Sequence, residues 1–334
     1  MKTAIFGFAG SGKTDLFLAL AGPGHNTNKA MVKVPEWRLQ PLEKVFAAKK
    51  VTYSEIEYLD IPGGGKGDGL GARILNEIRP FDCLLAVLDG FSSLYDPHEQ
   101  YQAIEADLLI SDLAVVEKKL ERMALDKKKA KHLVDPKEEE LLQKVLEVLE
   151  AEKPLREFKE LTQAPELRGY CFLSAKPILY AWNLEESKLA QAKLPANREK
   201  QIHIAVSAKL EKEMAEIEDP EERKMFLEDL GLKESALERV IKSTYQLLDL
   251  ITFLTAGEKE VRAWPLKKGS TAPEAAGVIH SDLQKGFIRA EVLSWSDFEK
   301  YGDFKTAKEN GALRLEGKDY VVQDGDIITF RFNV

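Results

Sequence analysis

The chain has 334 residues, enough for two or three domains with cores of ordinary size. Hydrophobic residues make up 44% of it. No segment approaches the roughly eighteen consecutive apolar residues that cross a bilayer, so no transmembrane helix is expected. The formal charge of -8 at pH 7 argues against a protein that binds nucleic acid over its whole surface, although it permits a local basic patch.

The first residues, MKTAIFGFAG, lead into a glycine-rich turn rather than a small-residue cleavage site. We interpret them as a first strand and not as a signal peptide. The two cysteines, Cys83 and Cys171, lie in apolar stretches without a partner at metal-ligand spacing. We therefore expect buried, reduced thiols and a cytoplasmic protein.

A phosphate-binding loop is predicted directly after this strand. Residues 7–14, GFAGSGKT, match G-x-x-x-x-G-K-T and lie between a β-type run and an apolar helix. Glycines let backbone N–H groups surround phosphate oxygens, and the helix N-terminus adds the positive end of its dipole. Lys13 is expected to bridge the β- and γ-phosphates and Thr14 to bind Mg²⁺. The nucleotide-binding residues predicted here are Gly7, Gly10, Ser11, Gly12, Lys13, Thr14 and Asp15.

A second motif, Asp-x-x-Gly, starts at Asp60 in the stretch SEIEYLDIPGG. Asp60 is expected to hold Mg²⁺ through water, and the amide of Gly63 to meet the γ-phosphate and, with Lys13, to serve catalysis. A plain turn explains Asp-x-Pro-Gly equally well in isolation, but its place at a strand end after a phosphate-binding loop favours the functional interpretation. The glutamine that often follows this glycine is replaced by Gly64, which predicts slow hydrolysis.

The next segments predict an α/β sheet interrupted by helices. DCLLAVLDG suits a parallel strand covered on both faces. From residue 107 to about residue 161 the sequence is charged, with apolar positions three and four residues apart, as in a coiled-coil seam. HLVDPK, residues 132–137, lets the chain reverse direction. We predict an inserted antiparallel helical hairpin.

The reversing end of this hairpin is basic. Between residues 117 and 137 there are eight Lys or Arg residues and four acidic ones. A solvated helix surface and a contact with a phosphate backbone, most naturally that of RNA, explain this equally well, and salt dependence distinguishes them.

After the hairpin the sheet is predicted to resume. GYCFLSAKPILYAWNLEES is interpreted as a strand, a corner at Lys176 and Pro177, and a second strand. That second strand brings Asn183 and Glu186 to its C-terminal end, where ligands of open α/β sheets bind. QIHIAVSAKLEKEM predicts another strand and a helix. The residues between them are a further part of the predicted site: Ser207, Ala208 and Lys209.

The order of these elements, with stretches such as KGDGLGARILNEIRPFDCLLAVLD, LSAKPILYAWN and GFIRAEVLSWSDFEKYG, resembles the Obg-like ATPase family, known in bacteria as YchF. The resemblance covers nearly the whole chain. It implies a Ras-like α/β P-loop domain at 1–106 and 162–249 and an inserted helical coiled-coil hairpin at 107–161. It also implies a C-terminal TGS domain with a ubiquitin-like β-grasp fold at 250–334.

The C-terminal residues agree with such a domain independently. EVRAWPL, FIRAEVLSW, KDYVV and DIITFRFNV are short β-rich runs, and TAPEAAGVIHSDLQKG predicts one amphipathic helix. His280 lies in that helix without a partner at metal or catalytic spacing, so we expect a structural role for it.

The base-recognition tetrapeptide of GTP-binding proteins, Asn-Lys-x-Asp, is altered here to Asn183-Leu184-Glu185-Glu186. The Asp of that motif accepts hydrogen bonds from guanine that adenine cannot supply, because adenine N1 is an acceptor. Glu186 is one methylene longer, so guanine preference is expected to be lost. The family resembled carries Asn-x-x-Glu here and prefers ATP. Alternatively, these acids only cap the next helix.

Two departures from the family pattern concern the phosphate site. Ala9 and Gly10 stand where the family usually has Pro-Asn. That asparagine is linked with potassium binding in related proteins, so potassium activation is not predicted here. Thr27 is the only threonine of GPGHNTNKAMVKVPEWRL and is not assigned to the switch threonine.

Three functions stay open from the sequence. The preferred one is a slow, Mg²⁺-dependent ATPase switch, whose nucleotide orders segments that a partner then recognises. The second is a GTPase with relaxed base recognition, which competition between ATP and GTP distinguishes. The third is a nucleotide-binding adaptor without useful catalysis that docks on the ribosome, as the resemblance implies, through its hairpin and TGS domain. The sequence does not predict the oligomeric state.

Overall fold

The computed structural model describes residues 1–22, 24–63, 69–92, 96–129, 134–217, 219–229 and 234–333. The chain divides into two compact units, one formed by Met1–Val32 and Glu57–Leu247 and the other by Lys33–Ile56 and Leu248–Val334. Within the described ranges, no helix is both long and apolar enough to cross a membrane.

Both units contain strands and α-helices. The strands are β1 Lys2–Phe6, β2 Lys29–Lys33, β3 Val51–Thr52, β4 Glu55–Asp60, β5 Cys83–Gly90, β6 Ile178–Leu184, β7 Gln201–Val206, β8 Leu250–Ala256, β9 Val261–Lys267, β10 Phe287–Leu293, β11 Arg314–Glu316 and β12 Ile327–Phe332. The α-helices are α1 Lys13–Ala21, α2 Leu39–Phe46, α3 Gly71–Ile78, α4 Pro97–Lys129, α5 Pro136–Glu150, α6 Lys159–Thr162, α7 Ala208–Ala215, α8 Pro220–Asp229, α9 Ala236–Leu247, α10 Ala272–Ile279, α11 Ser281–Lys285, α12 Trp295–Tyr301 and α13 Phe304–Glu309.

The first unit is built on a sheet of order β2-β4-β1-β5-β6-β7, in which β4, β1, β5, β6 and β7 run parallel. All residues of β6 and nearly all of β5 are buried, because helices cover both faces of such a sheet. Since the strands are parallel, their carboxyl ends meet at one edge. The predicted phosphate loop, Asp60, Asn183 and Ser207 all lie at or just beyond those ends.

The helical insertion begins earlier in the chain than predicted. Helix α4 starts at Pro97 rather than near residue 107, and Asp96 accepts a hydrogen bond from the His98 backbone N–H at its first turn. Ile104 and Leu108 pack into the core under the sheet, whereas Val116 and Met123 pack with α5. One helix therefore serves two cores, and its first part carries no coiled-coil pattern. The reversal at 132–137 lies partly outside the described residues.

The strand predicted before the corner at Lys176 does not form. Residues 165–170 are a 3-10 helix, and Cys171 has a left-handed backbone, with φ of 48°. The backbone N–H groups of Leu173 and Ser174 donate to the buried carboxylate of Asp112, at 2.9 and 2.7 Å, instead of to a neighbouring strand. The prediction that both thiols are buried is also wrong, since Cys83 is buried but Cys171 is exposed.

The second unit contains a mixed sheet of order β11-β10-β12-β8-β9-β3. Its last strand comes from residues 33–56, because Val51 and Thr52 of β3 pair in parallel with Val261 and Arg262 of β9. Leu39 and Leu42 of α2 are fully buried in the same unit. This division differs from the predicted domain boundaries, which placed 33–56 in the nucleotide-binding domain.

The single helix predicted at residues 271–286 is two helices, α10 and α11. His280 lies between them in extended conformation, with φ of -161° and ψ of 141°. Its Nδ1 accepts a hydrogen bond from the Asp282 backbone N–H at 3.2 Å. The imidazole thus caps α11.

Candidate functional site

The predicted phosphate loop forms the connection between β1 and α1. Gly10 and Gly12 have φ of 82° and 81°, in the left-handed region that favours glycine. Gly12 is further constrained by a close approach, because a Cβ atom there would overlap the side-chain amide of Asn183. The loop therefore requires glycine at residue 12 for both its backbone and its surroundings.

Lys13, Thr14, Asp60 and Gly63 come together at the start of α1. Thr14 Oγ1 donates to Asp60 Oδ2 at 2.9 Å. Lys13 Nζ lies so close to Gly63 that a Cβ atom on the glycine would be 2.6 Å from it. The residues of the two sequence motifs thus meet in one place.

The electrostatics of this cluster reflect burial. Lys13 is 8% exposed. Desolvation lowers the pKa of its ammonium, and the nearby Asp60 carboxylate partly opposes this shift. Burial raises the pKa of Asp60, against the hydrogen bond from Thr14 and the charge of Lys13. A buried cation with one half-buried carboxylate nearby is suited to receive an anion.

The same residues fit a magnesium ion. Asp60 Oδ1 is buried and has no hydrogen-bond partner among the described residues, while Thr14 Oγ1 lies beside the other carboxylate oxygen. Hydroxyl and carboxylate oxygens are ligands that Mg²⁺ accepts. In the part of the chain that the structure describes, no group of three or more His, Cys, Asp or Glu residues is placed to hold a metal. Water and phosphate oxygens would have to complete the shell.

Asn183 connects three parts of the site. Its Nδ2 donates to the backbone oxygen of Ser11 at 3.0 Å, and its Oδ1 accepts from the backbone N–H of Ala208 at 2.9 Å. Asn183 is 4% exposed. Through the two polar atoms of its amide, Asn183 therefore joins the phosphate loop and the start of α7 to the end of β6.

A cavity of about 760 Å³ opens beside this asparagine. Its lining includes predicted residues of the phosphate loop, the end of β6 and the start of α7, but not of the Asp-x-x-Gly motif: Gly12, Asp15, Asn183, Glu186, Ser207, Ala208 and Lys209. Phe91, Leu184, Glu185 and Glu213 also line it and were not predicted as site residues. Phe91 directly follows β5, so the order of the strands brings it to the binding edge. No sequence motif marks this residue.

Of the remaining predicted residues, Ser207 and Asp15 have local partners and the Ser11 hydroxyl has none among the described residues. The Ser207 side chain accepts from the backbone N–H of Leu210 at 3.5 Å and caps α7. Asp15 pairs with Lys212 at 3.3 Å on the surface. Ser11 Oγ is buried and has no hydrogen-bond partner in the described ranges.

The carboxylates after β6 give little support to the capping alternative. Glu185 is the N-cap of the 3-10 helix formed by residues 186–191, yet its side chain makes no capping hydrogen bond. It pairs instead with Lys188, at 3.1 Å. Glu186 is exposed and lines the cavity.

Thr27 uses its hydroxyl locally. Thr27 Oγ1 donates to the backbone oxygen of Lys29 at 2.9 Å and lies 3.0 Å from His25 Nε2. Its assignment to a switch stays open.

Comparison with known proteins shows similarity over the full chain. A family model named YchF-GTPase_C, described as a protein of unknown function, matches residues 250–333. A protein of Bacillus subtilis (strain 168) is 42% identical, with 100% of both chains covered. One of Escherichia coli O157:H7 is 36% identical, with 100% of this chain and 99% of its own covered. Both relatives are named "Ribosome-binding ATPase YchF".

A solved structure resembles the fold as a whole. The YchF GTPase of Schizosaccharomyces pombe matches with a TM-score of 0.87 and 27% identity, covering 99% of this chain and 97% of its own. The predicted family resemblance and the predicted fold class are thereby confirmed.

Proposed function

This chain belongs to the YchF family, and from that premise we propose that it is a nucleotide-dependent switch that binds ATP with Mg²⁺ and hydrolyses it slowly. One observation carries the proposal. Lys13, Thr14, Asp60 and Gly63 meet at the loop from which a cavity of about 760 Å³ extends towards Glu186. The phosphate loop and the proposed base site thus adjoin at Gly12 and Asp15, which line the cavity.

The phosphate end has the groups that phosphoryl transfer requires. Lys13 is proposed to contact the β- and γ-phosphates, which is supported by the backbone of Gly63 lying beside its ammonium. Thr14 would bind Mg²⁺ directly and Asp60 through water. When bound, Mg²⁺ neutralises charge on the β- and γ-phosphate oxygens.

Slow turnover is expected from the residue that follows Gly63 in the sequence. The next residue is Gly64, which has no side chain to orient an attacking water. Such an enzyme persists in its nucleotide-bound state until something accelerates hydrolysis. That behaviour suits a switch whose two states present different surfaces to a partner.

Adenine selection is assigned to Glu186. Asn183 already uses both polar atoms of its amide within the protein, and Glu185 is paired with Lys188, so the carboxylate of Glu186 is the acidic group of this loop that is left to contact a base. Phe91 and Leu184 offer apolar surface to a base in the same cavity.

The partner is proposed to be the ribosome, in the cytoplasm. The support is the name of the two bacterial relatives, which describes them as ribosome-binding. A second candidate activity, GTP hydrolysis with relaxed base recognition, is favoured by the similarity to the Schizosaccharomyces pombe protein, which is named a GTPase.

Titration of fluorescent ATP and GTP analogues in the presence of Mg²⁺ tests the proposal. We expect ATP to bind at least about tenfold more tightly than GTP. Glu186→Asp should reduce this ratio of affinities, because its side chain is one methylene shorter and its carboxylate no longer reaches the base in the same way. Glu185→Asp is the matched control: it makes the same change at a neighbouring carboxylate that also lines the cavity but is paired with Lys188, so it should change the ratio less than Glu186→Asp does.

Other outcomes select the alternatives. Equal or tighter GTP binding by the wild type would favour the GTPase and remove the role of Glu186. Binding without measurable turnover would favour an adaptor. In that case, Lys13→Ala should abolish ribosome association along with nucleotide binding.

A further inference from the structure

Asp107, on the long helix α4, contacts the beginning of α3. The backbone N–H of Leu70 donates to Asp107 Oδ2 at 2.6 Å. Gly69 has φ of 87°, and a Cβ atom on it would lie 2.8 and 3.0 Å from the two carboxylate oxygens. Leu70 is the N-cap of α3 and makes no side-chain capping bond of its own. Asp107 thus supplies, from another helix, the carboxylate that a helix N-terminus favours.

This contact holds one end of the chain segment that follows the γ-phosphate motif. At the other end, the backbone N–H of Ile61 donates to the Ile5 oxygen at 2.9 Å, and Gly63 lies against Lys13. Leu70 is 2% exposed and belongs to the same core as Ile104 and Leu108 of α4. Gly63 and Gly69, the described residues on either side of residues 64–68, therefore both lie at defined positions.

Helix α4 continues from this contact into the helical insertion. Ile104 and Leu108 flank Asp107 in the core under the sheet, and Val116 and Met123 farther along the same helix pack with α5. A displacement of the insertion along its helix axis would therefore be carried to Asp107, and from there to the start of α3.

We infer that Asp107 is a positioning residue for the proposed hydrolysis. Its contact with Gly69 and Leu70 fixes the position of Gly63 relative to the γ-phosphate. Because Asp107 belongs to α4, the position of Gly63 then depends on the position of that helix. The inference rests on the proposed function. It adds the route by which a partner bound to the insertion would regulate turnover, and it assigns no contact between Asp107 and the nucleotide.

The glycines on either side of Leu70 provide matched variants. Gly69 and Gly71 have similar left-handed backbones, with φ of 87° and 77°. Gly69→Ala would push against the Asp107 carboxylate, whereas a Cβ atom on Gly71 meets nothing within 4 Å. Gly69→Ala therefore disturbs the contact in addition to straining the backbone, and Gly71→Ala strains the backbone alone.

The experiment measures single-turnover ATP hydrolysis, affinity for ADP and for a non-hydrolysable ATP analogue, and thermal stability of the full chain. We expect Asp107→Ala and Gly69→Ala to slow hydrolysis by about 10- to 100-fold, as small misplacements of catalytic groups do. ADP affinity should change by less than about twofold, because only γ-phosphate positioning is affected. Asp107→Asn keeps an acceptor for the Leu70 N–H and should retain most of the activity.

The double variant and the control decide between positioning and plain stability. Asp107→Ala combined with Gly69→Ala should be no slower than the slower single variant, since both remove one contact. Gly71→Ala should lower the melting temperature without slowing hydrolysis.

Equal slowing by Gly71→Ala, or unchanged hydrolysis in Asp107→Ala and Gly69→Ala, overturns the inference. Should Asp107→Ala fail to fold, Asp107→Asn and Gly69→Ala still decide the matter.

Failure of the proposed function is seen separately, in the wild type. If the wild type binds nucleotide but does not hydrolyse it, the inference is tested on the preference of the wild type for the ATP analogue over ADP. Asp107→Ala and Gly69→Ala should each abolish that preference. A wild type that binds no nucleotide removes both proposals.

Discussion

At the scale of single residues, the site depends on how closely backbone and side chains approach one another. Asn183 reaches over Gly12 to the backbone oxygen of Ser11 and also receives the N–H of Ala208. One amide therefore joins the phosphate loop to the start of α7. Glycine at residue 12 is required because any side chain would occupy the position of that amide.

Gly12→Ala and Gly10→Ala form a matched pair that tests this. Both residues have left-handed φ, but a Cβ atom on Gly10 meets nothing within 4 Å, whereas one on Gly12 overlaps Asn183. Gly10→Ala should cost only backbone strain, about 1–2 kcal/mol of unfolding free energy. Gly12→Ala should cost about 1–3 kcal/mol more, by leaving buried polar groups without partners. It should also weaken ATP binding by more than tenfold, or about 1.4 kcal/mol. Urea unfolding and nucleotide titration measure both effects, and equal losses would exclude the Asn183 contact as the cause.

At the scale of elements, the basic end of the hairpin is less free than its composition suggests. Five of its basic residues pair with carboxylates in the structure: Lys119 with Glu138, Arg122 and Lys129 with Asp126, Lys127 with Glu139, and Lys137 with Glu166. Lys118 and Lys128 form no ion pair with described residues, and Lys131 lies outside them. Most of the positive charge is thus balanced locally, which weakens the RNA interpretation without removing it.

The salt dependence of RNA binding measures how much of this charge is available. Each neutralised phosphate contributes about -0.7 to -0.9 to the slope of log affinity against log salt concentration. With Lys118 and Lys128 unpaired among the described residues, we expect a slope of about -2 for any binding by this end. Lys118→Ala and Lys128→Ala should each make the slope shallower by about 1, whereas Lys119→Ala, its charge already paired with Glu138, should not. A slope steeper than about -5 would mean that the ion pairs open on binding.

At the scale of the whole molecule, the two units do not follow the order of the sequence. Residues 33–56 lie between the two motifs of the phosphate site, yet β3 completes the second sheet and α2 fills its core. Leu39 and Leu42 are fully buried there beside Leu254 and Ile327. The second unit is therefore incomplete without a segment that the chain supplies early.

A fragment of residues 250–334 alone should consequently be poorly stable. Each missing buried leucine costs about 2–5 kcal/mol of unfolding free energy. Fusing residues 33–56 to residues 248–334 should restore a cooperative thermal transition, and the same fusion carrying Leu39→Ser and Leu42→Ser should not. Circular dichroism during heating measures this, and a fragment as stable as the fusion would contradict the expectation.

The differences between prediction and structure have a common physical origin. GYCFLSA has the composition of a strand, but its N–H groups are used by Asp112, which lies far away in sequence. His280 ends α10 because its backbone is extended, and its ring then caps α11. Residues 97–106 have no coiled-coil pattern because that part of α4 packs on the sheet. In each case a contact made in the folded chain outweighed local preference, with residues distant in sequence for Asp112 and for α4, and with the neighbouring Asp282 for His280.

The chemistry proposed for this protein was predictable from local patterns: the GFAGSGKT loop, Asp60, Gly63 and the altered guanine motif have residue types that follow from phosphate, magnesium and base recognition. The surroundings of these residues could be known only from the folded chain. The two bonds of Asn183, the place of Phe91, the contact of Asp107 with Leu70 and the membership of residues 33–56 depend on strand order and helix packing. Motifs are local because they bind small groups. Contacts between distant segments arise only when folding buries the surfaces that they share.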